Sequence, residues 1–170
     1  MLKKGRSNSS GYTLVEVLIV LALVGLVVGL AFGAYSFIVK GHTRGREQVL
    51  LQQEARAVLA FLEKELTYSQ RLALYSSSET PPAFEGQFRD ISSDGNAVLV
   101  NGQPILSADG MEYKLLFHRL EESSTLLNIE VTLKSRTTQQ TTNASKTIKT
   151  FNAQLEGNSG NIIRYMKPSE

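Results

Sequence analysis

The chain has 170 residues, no cysteine, and a formal charge of +2 from 18 basic and 16 acidic side chains. The absence of cysteine excludes disulfides, a thiol nucleophile and cysteine-based metal sites. The basic side chains are not gathered into a stripe, so the sequence gives no indication of a general nucleic-acid binder.

Residues 1–11 form a short basic leader that contains Lys3, Lys4 and Arg6 and no acid. Positive charge at the start of an apolar segment keeps that end of the chain in the cytoplasm, so we expect the bulk of the chain to lie outside it. Removing these three of the 18 basic side chains leaves 15 against 16 acids, a side-chain balance of −1.

Residues 12–39 form a segment of 28 residues with a single charge, Glu16. At about 1.5 Å per residue, a helix of this length crosses a hydrocarbon core of about 30 Å. The segment therefore predicts a single-pass membrane helix. A secretory signal peptide is the alternative, with residues 31–34 as the cleavage site, but its apolar region would be only about 7 to 15 residues long.

The junction between leader and helix reads Gly-Tyr-Thr-Leu-Val-Glu over residues 11–16. Here the chain resembles the type IV pilin and type II secretion pseudopilin family. That family's signature is a basic leader, a glycine, an aromatic residue, Thr-Leu-(Ile/Val)-Glu and a long apolar helix. The resemblance implies cleavage after Gly11 by prepilin peptidase, N-methylation of Tyr12 and a role for Glu16 in assembly. Tyr12 departs from the pattern, because the usual first mature residue is Phe.

Glu16 is unusual on physical grounds as well. A lone carboxylate in an apolar helix costs up to about 3 kcal/mol on insertion scales, so we expect it to have a partner or a function. Cleavage after Gly11 would create an α-amino group on Tyr12, and pairing with it would offset the desolvation. Residues four apart share a helix face, so the pair forms within one chain or, as the resemblance favours, with a neighbouring subunit. The alternative is that Glu16 only complements the helix dipole.

Gly25, Gly29 and Gly33 lie four residues apart and would form one smooth strip along the membrane helix. Small residues at this spacing let helix backbones approach closely in lipid, so the strip predicts a seam for packing against other helices. The alternative is that glycine is simply more frequent in membrane helices than in soluble ones.

Residues 40–75 are predicted to be the amphipathic soluble half of the same helix. Apolar residues recur there at helical spacing on one stripe: Leu51, Ala55, Val58, Leu62 and Leu66. The charged residues 63–65 are interpreted as a solvated face. Residues 66–69 are similar to the end of the helical spine in minor pilins and pseudopilins of the J class.

Residues 76–170 are predicted to be a globular β-sheet domain. A loop runs to about residue 95, Asn101-Gly102 predicts a tight hairpin turn, and residues 111–120 and 129–133 alternate as antiparallel strands. Residues 135–145 are expected to be a polar loop, and the tail after residue 157 is expected to add an edge strand or to lie against the domain. The predicted fold class is α+β and pilin-like, with the long N-terminal helix packed on a small antiparallel sheet.

The chain has few candidates for chemistry. Residues 90–96 carry oxygen side chains but lack the bidentate glutamate and dense acids of a calcium loop, so a turn at Asp94 is favoured. His42 and His118 stand alone and predict no metal site. Asn143 begins a glycosylation sequon, with a plain polar loop as the alternative. No catalytic grouping stands out, so we expect no enzyme, no cofactor and no small-molecule substrate.

Together with these observations, the resemblance implies a structural, minor pilin or pseudopilin subunit. It would wait in the inner membrane and join a type IV pilus, a type II secretion pseudopilus or a DNA-uptake filament. Its expected partners are prepilin peptidase, other pilin or pseudopilin subunits, the inner-membrane assembly platform and membrane lipid. The alternative is a single-pass membrane adaptor whose extracytoplasmic domain binds a protein partner. Replacing Glu16 by alanine separates the two, because only assembly requires this carboxylate.

Overall fold

A computed structural model describes residues 13–83, 85–120, 125–151 and 153–167. A single long helix, α1, spans Leu14–Leu66. The chain divides into two compact units, one ending at Thr43 and the other beginning at Arg44, and α1 contributes to both. Within the described residues, α1 is the helix that is long and apolar enough to cross a membrane.

The predicted apolar stripe on the second part of α1 is confirmed. All five of its side chains are buried: Leu51, Ala55, Val58, Leu62 and Leu66. Three or four residues separate neighbours on this stripe, so all five lie on one face of the helix. That face forms one side of the core of the second unit.

The helix ends at Leu66 and not at residue 75, so the predicted boundary of the segment 40–75 was wrong. The hydroxyl of Thr67 donates to the Glu63 carbonyl, and that of Ser69 donates to the Leu66 carbonyl, each across 2.6 Å. These bonds satisfy carbonyls that the helix end leaves open. The next segment, Arg71–Tyr75, is a strand with four buried residues in a row. A short continuous apolar run of this kind does not distinguish helix from strand.

The strands are bounded as follows: β1 Arg71–Tyr75, β2 Arg89–Ser93, β3 Val98–Val100, β4 Gln103–Leu106, β5 Met111–Arg119, β6 Leu126–Ser135, β7 Thr141–Lys149, β8 Gln154–Glu156, β9 Ser159–Gly160 and β10 Ile162–Met166. They form two sheets, of orders β4-β3-β2-β10-β1-β8 and β7-β6-β5-β9. The predicted α+β class, a long helix packed on mostly antiparallel strands, is confirmed, but the strands form two sheets where one was expected. Antiparallel pairing dominates, but β1 and β8 pair in parallel.

The antiparallel strands predicted over residues 111–120 and 129–133 are confirmed as β5 and β6, which pair with each other. β7 adds a third antiparallel strand beside β6, where the sequence predicted a loop up to residue 145. Alternate residues of β5 and β6 point into the core, where the largest buried side chains of β5 are Tyr113, Leu115 and Phe117. The predicted hairpin is also present between β3 and β4. Its turn residues Asn101 and Gly102 have φ of 52° and 76°, the left-handed conformation that a two-residue hairpin turn requires.

Three segments predicted as loop or edge lie within the sheets. β2 occupies part of the loop expected up to residue 95, and β7 begins inside the polar loop expected over residues 135–145. The tail contributes two strands. The short β9 lies at the edge of the four-stranded sheet, as expected, but β10 lies between β2 and β1 in the middle of the six-stranded sheet. The partners of β10, β1 and β2, are far away in the sequence, so local patterns did not reveal its position. β2 and β7 each pair with a neighbouring strand and were missed because most of their side chains are polar.

Candidate functional site

Thr13 caps the N-terminus of α1. Its hydroxyl oxygen accepts a hydrogen bond from the backbone N–H of Glu16 at 3.3 Å, and its carbonyl accepts one from the N–H of Val17 at 3.2 Å. A threonine three residues before a glutamate is typical of a helix N-terminus, where the side chain satisfies an open backbone donor. The cap satisfies the amide of Glu16, and within the described residues no donor meets its carboxylate.

The first unit exposes an almost entirely apolar helix surface. Residues 14–43 are all exposed, and the large apolar side chains among them range from 45% exposed at Val39 to 80% at Phe37. Water-soluble domains rarely expose an apolar surface of this extent, which marks contact with lipid or with another protein. Glu16 is the only charged residue between Thr13 and Val39, so its carboxylate is isolated on that surface.

The structure places the three predicted glycines on this open surface. Apart from its chain neighbours and the adjacent backbone of the helix, an ideal Cβ on Gly25, Gly29 or Gly33 would meet no atom of the described residues within 4 Å. The strip is therefore unobstructed within its own chain, although its use as a seam stays a prediction. Gly11 and Tyr12, the predicted cleavage and methylation residues, lie outside the described residues.

In the second unit, Glu65 lies at the centre of a polar cluster that the sequence did not predict. Its carboxylate accepts hydrogen bonds from the hydroxyl of Tyr165 at 2.7 Å and from the ammonium of Lys167 at 3.1 Å. Arg89 lies 3.8 Å away. Only 14% of the Glu65 side chain is exposed, so its assignment to a solvated face was wrong. This cluster ties the end of α1 to β10 and the tail.

A second ion pair fixes the loop between β1 and β2. Arg164 binds both carboxylate oxygens of Asp90 at 2.7 Å and donates to the Pro82 carbonyl at 2.7 Å. Its guanidinium also lies 4.0 Å from the centre of the Phe88 ring. Because Asp90 holds the guanidinium charge in place, the pKa of Arg164 is raised. A single Arg between Ile163 and Tyr165 was the available signal in the sequence.

The calcium alternative for residues 90–96 finds no support in the geometry. Asp90 is engaged with Arg164, and a carboxylate oxygen of Asp94 accepts from the backbone amides of Asn96 and Ala97 at 2.8 Å. These two bonds lower the pKa of Asp94. Gly95 has a φ of 89°, as expected for a turn. No group of three or more potential metal ligands occurs among the described residues.

Comparison with known proteins adds two findings. A family model described as the prokaryotic N-terminal methylation motif matches residues 6–32. That range holds Gly11, Tyr12, Glu16 and the first half of the apolar helix. No curated protein sequence matches the chain.

The fold is similar to a solved structure of a point mutant of the PilB minor pilin from Streptococcus sanguinis. The TM-score is 0.53 at 15% identity, over 72% of this chain and 35% of that chain. The chain therefore carries a prokaryotic N-terminal methylation motif and has a fold similar to that of a minor pilin. At this identity the likeness to PilB concerns the fold, and the present chain corresponds to only part of that longer protein.

Proposed function

We propose that this type IV pilin-like chain is a minor structural subunit, anchored in the inner membrane and assembled into a filament through α1. The observation that carries the proposal is the methylation motif at residues 6–32, which runs directly into an exposed apolar helix with one carboxylate. The proposal covers a type IV pilus, a type II secretion pseudopilus and a DNA-uptake filament, because all three would use the same segment.

In this proposal prepilin peptidase cuts after Gly11, and Tyr12 becomes the methylated first residue. The cut removes three basic side chains and creates one α-amino group beside the apolar helix. The carboxylate of Glu16, which the Thr13 cap leaves unengaged, then pairs with the amino group of a neighbouring subunit. Opposite charges within a low-dielectric zone stabilise docking when they meet at hydrogen-bonding distance.

The remaining contacts follow from the surfaces of α1. Before assembly, the apolar side chains of residues 14–39 are covered by membrane lipid. After extraction by the assembly platform they pack against the helices of other subunits, with the strip at Gly25, Gly29 and Gly33 allowing close approach. The minor role is supported by the likeness in fold to a minor pilin.

The test is mass spectrometry of the N-terminus after co-expression with an active prepilin peptidase. The proposal expects a chain that begins at a methylated Tyr12. Glu16→Ala and Glu16→Gln should be processed and remain in the membrane but fail to enter filaments, while Glu16→Asp should enter weakly. Glu112→Ala, at an exposed position of β5, is the matched control and should enter normally.

Two results would overturn the proposal. A chain that still begins at Met1 in cells with an active peptidase never acquires the amino group that Glu16 needs. Normal filament entry of Glu16→Ala would remove the role of the carboxylate. A Glu16→Ala chain that still binds a protein partner through its extracytoplasmic domain, without entering any filament, would indicate a membrane adaptor instead.

A further inference from the structure

The strand β7 lies at the edge of the four-stranded sheet and has a free side. It pairs with β6 on its other side through nine consecutive register pairs, from Thr141 with Lys134 to Lys149 with Leu126. The strand contains no proline and no glycine, and its register shows no bulge. An uninterrupted edge of this kind is a template on which another chain can pair.

The hydrogen bonds at the two ends of β7 show which of its backbone groups face outward. The N–H of Ser135 donates to the carbonyl of Gln140 at 2.8 Å, and the N–H of Thr150 donates to the carbonyl of Thr125 at 2.9 Å. In an antiparallel pair, successive residues alternate between bonding to the partner strand and facing away from it. Gln140 and Thr150 flank β7 and both bond to the chain of β6 or its extension, so the even-numbered residues between them also bond to β6. The outward N–H and C=O groups therefore belong to Thr141, Asn143, Ser145, Thr147 and Lys149, and within the described residues no backbone group meets them.

The other sheet edges of the described chain are blunted. β4 contains Pro104, and the register between β3 and β4 shifts at Val98 and Leu99. β8 has three residues and β9 has two. Short strands, proline and bulges are the usual protections of a sheet edge, and β7 has none of them. The contrast makes β7 the edge suited to accept a strand.

A shallow recess beside this edge would give such pairing a preference for one side chain. The recess has a volume of about 280 Å³ and includes Glu130 and Thr132 on β6 and Asn143 and Ser145 on β7. Glu130 lies opposite Ser145 in the register and is the charged residue among those that line the recess. A strand added to β7 would lie about 10 Å from β6, within reach of an extended lysine side chain.

The direction of α1 excludes an antiparallel second copy as the occupant. Glu47 on α1 bonds to Thr138, just before β7, and Glu63 bonds to Lys146 near its end at 2.5 Å. The soluble part of α1 therefore runs in the same direction as β7. Antiparallel pairing of two β7 strands would point the two helices in opposite directions. Two copies anchored in one membrane cannot adopt this arrangement, an exclusion that rests on the proposed function.

We propose that the free edge of β7 binds an extended segment of another protein by strand addition. The outward backbone groups of the five odd-numbered residues supply the hydrogen bonds. A cationic side chain of the added segment enters the recess at Glu130. The next residues of the segment face the other side of the sheet, where Ala144 and Ile148 of β7 contact the core and Lys146 pairs with Glu63. Apolar side chains of the segment therefore fit beside Ala144 and Ile148.

The test uses the full chain in detergent micelles and a synthetic nine-residue peptide. Threonine and valine alternate in this peptide, and its central lysine lies on the same face as the threonines. Residue-resolved amide hydrogen exchange is measured with and without the peptide. At saturation the amides of Asn143, Ser145 and Thr147 should exchange at least about tenfold more slowly. The amides of Thr142 and Ala144 already bond to β6 and should not change.

Proline at an outward position separates strand addition from other binding. Ser145→Pro removes one outward N–H but no bond to β6, and should weaken peptide binding by about tenfold. Ser145→Ala keeps the N–H and should bind within about twofold of the native chain. Asn143→Pro repeats the test should Ser145→Pro fail to fold. A peptide with glutamate in place of lysine should bind more weakly, and Glu130→Gln should reduce that preference.

Several results would overturn the proposal. One is an exchange pattern that the peptide leaves unchanged, and another is equal binding by Ser145→Pro and Ser145→Ala. A third is slowing of the same amides with rising protein concentration alone, which would identify a second copy as the occupant. The N-terminal mass of the same preparations reports processing at Tyr12 separately. Failed processing with intact amide protection would thus count against the proposed function and not against the strand site.

Discussion

The hydroxyl of Tyr165 on β10 donates a hydrogen bond to the carboxylate of Glu65 at the end of α1, across 2.7 Å and 100 residues of sequence. Tyr165 is fully buried, and burial followed by the bond to the carboxylate raises the pKa of its hydroxyl. The pair joins the end of the helix to the middle of the six-stranded sheet. Backbone pairing with β1 and β2 holds β10 in the middle of this sheet, and the Tyr165–Glu65 bond adds a link to the helix.

Removing this hydroxyl should destabilise the second unit. Tyr165→Phe keeps the ring in the core but deletes one hydrogen bond to a charged, mostly buried acceptor, at a cost of about 1.5–3 kcal/mol. Tyr68→Phe is the matched control, since Tyr68 is 71% exposed and its change should cost less than about 0.5 kcal/mol. Urea unfolding of the full chain in detergent measures both. Equal stability of the two variants would contradict the role assigned to the pair.

Glu65 should also make stability depend on pH. Burial by itself would raise the pKa of its carboxyl, but hydrogen bonds from Tyr165 and Lys167 and the charges of Lys167 and Arg89 together outweigh burial and lower the pKa from its ordinary value of 4.5. With a depressed pKa in the folded state, the unfolded state takes up the proton first as the pH falls. The stabilisation is therefore complete well above 4.5 and is lost as the pH falls through the lower, folded value.

Comparison of the native chain with Glu65→Gln tests this pH dependence. The difference in their unfolding free energies should be largest near neutral pH and should shrink as the pH falls below about 4.5. Glu156→Gln is the control, because Glu156 forms an exposed pair with Arg71 in which 39% and 47% of the side chains are exposed. A difference that stays constant with pH would show that Glu65 does not carry a lowered pKa.

What the sequence predicted correctly was encoded locally. The methylation motif, the uncharged helix and the apolar stripe ending at Leu66 each depend on residues within a few turns of one another. The alternation in β5 and β6 was equally visible, since one face of each strand is buried. From these features the sequence predicted the α+β class and the apolar helix that carries Glu16.

What the sequence did not reveal depends on distant partners. β1 has four consecutive buried residues, so both of its faces are covered and it shows no alternation. Its neighbours β10 and β8 come from the last part of the chain. Glu65 carries no local sign of burial, because its partners Tyr165 and Lys167 arrive from the opposite end of the chain. β7 was missed for another reason. Most of its side chains are polar and exposed, and this polarity outweighed the preference of its threonines for strands.

The Asp90–Arg164 pair should contribute more to stability than the Arg71–Glu156 pair. Only 10% of the Arg164 side chain is exposed, and it makes two bonds to Asp90. Asp90→Ala leaves the guanidinium with unmet donors and should cost about 2–3 kcal/mol. Glu156→Ala breaks an exposed pair and should cost less than about 1 kcal/mol. Thermal unfolding ranks the two, and a larger loss for Glu156→Ala would refute the assignment.

Two leucines on α1 provide a test of the helix–sheet core. Leu62 is fully buried and Leu50 is 51% exposed, although both lie on the soluble part of the same helix. Leu62→Ala should cost about 2–5 kcal/mol, because it removes apolar contacts and leaves a cavity. Leu50→Ala should cost less than about 0.5 kcal/mol. Similar losses in urea unfolding would mean that the stripe does not face the core.

The glycine strip makes a prediction about assembly and not about folding. Gly29→Ile places a branched side chain on the strip. Beyond the adjacent helix backbone and its chain neighbours, no atom of the described residues lies within 4 Å of the added Cβ, so the fold of the single chain should be unaffected. Close packing of helices in lipid requires small residues at the contact, so association with other subunits should weaken. Ala31→Ile adds a side chain of the same size away from the strip and serves as the control. Filament entry measured by cross-linking in membranes should fall for Gly29→Ile and stay normal for Ala31→Ile, and equal entry of both would show that the strip is not a seam.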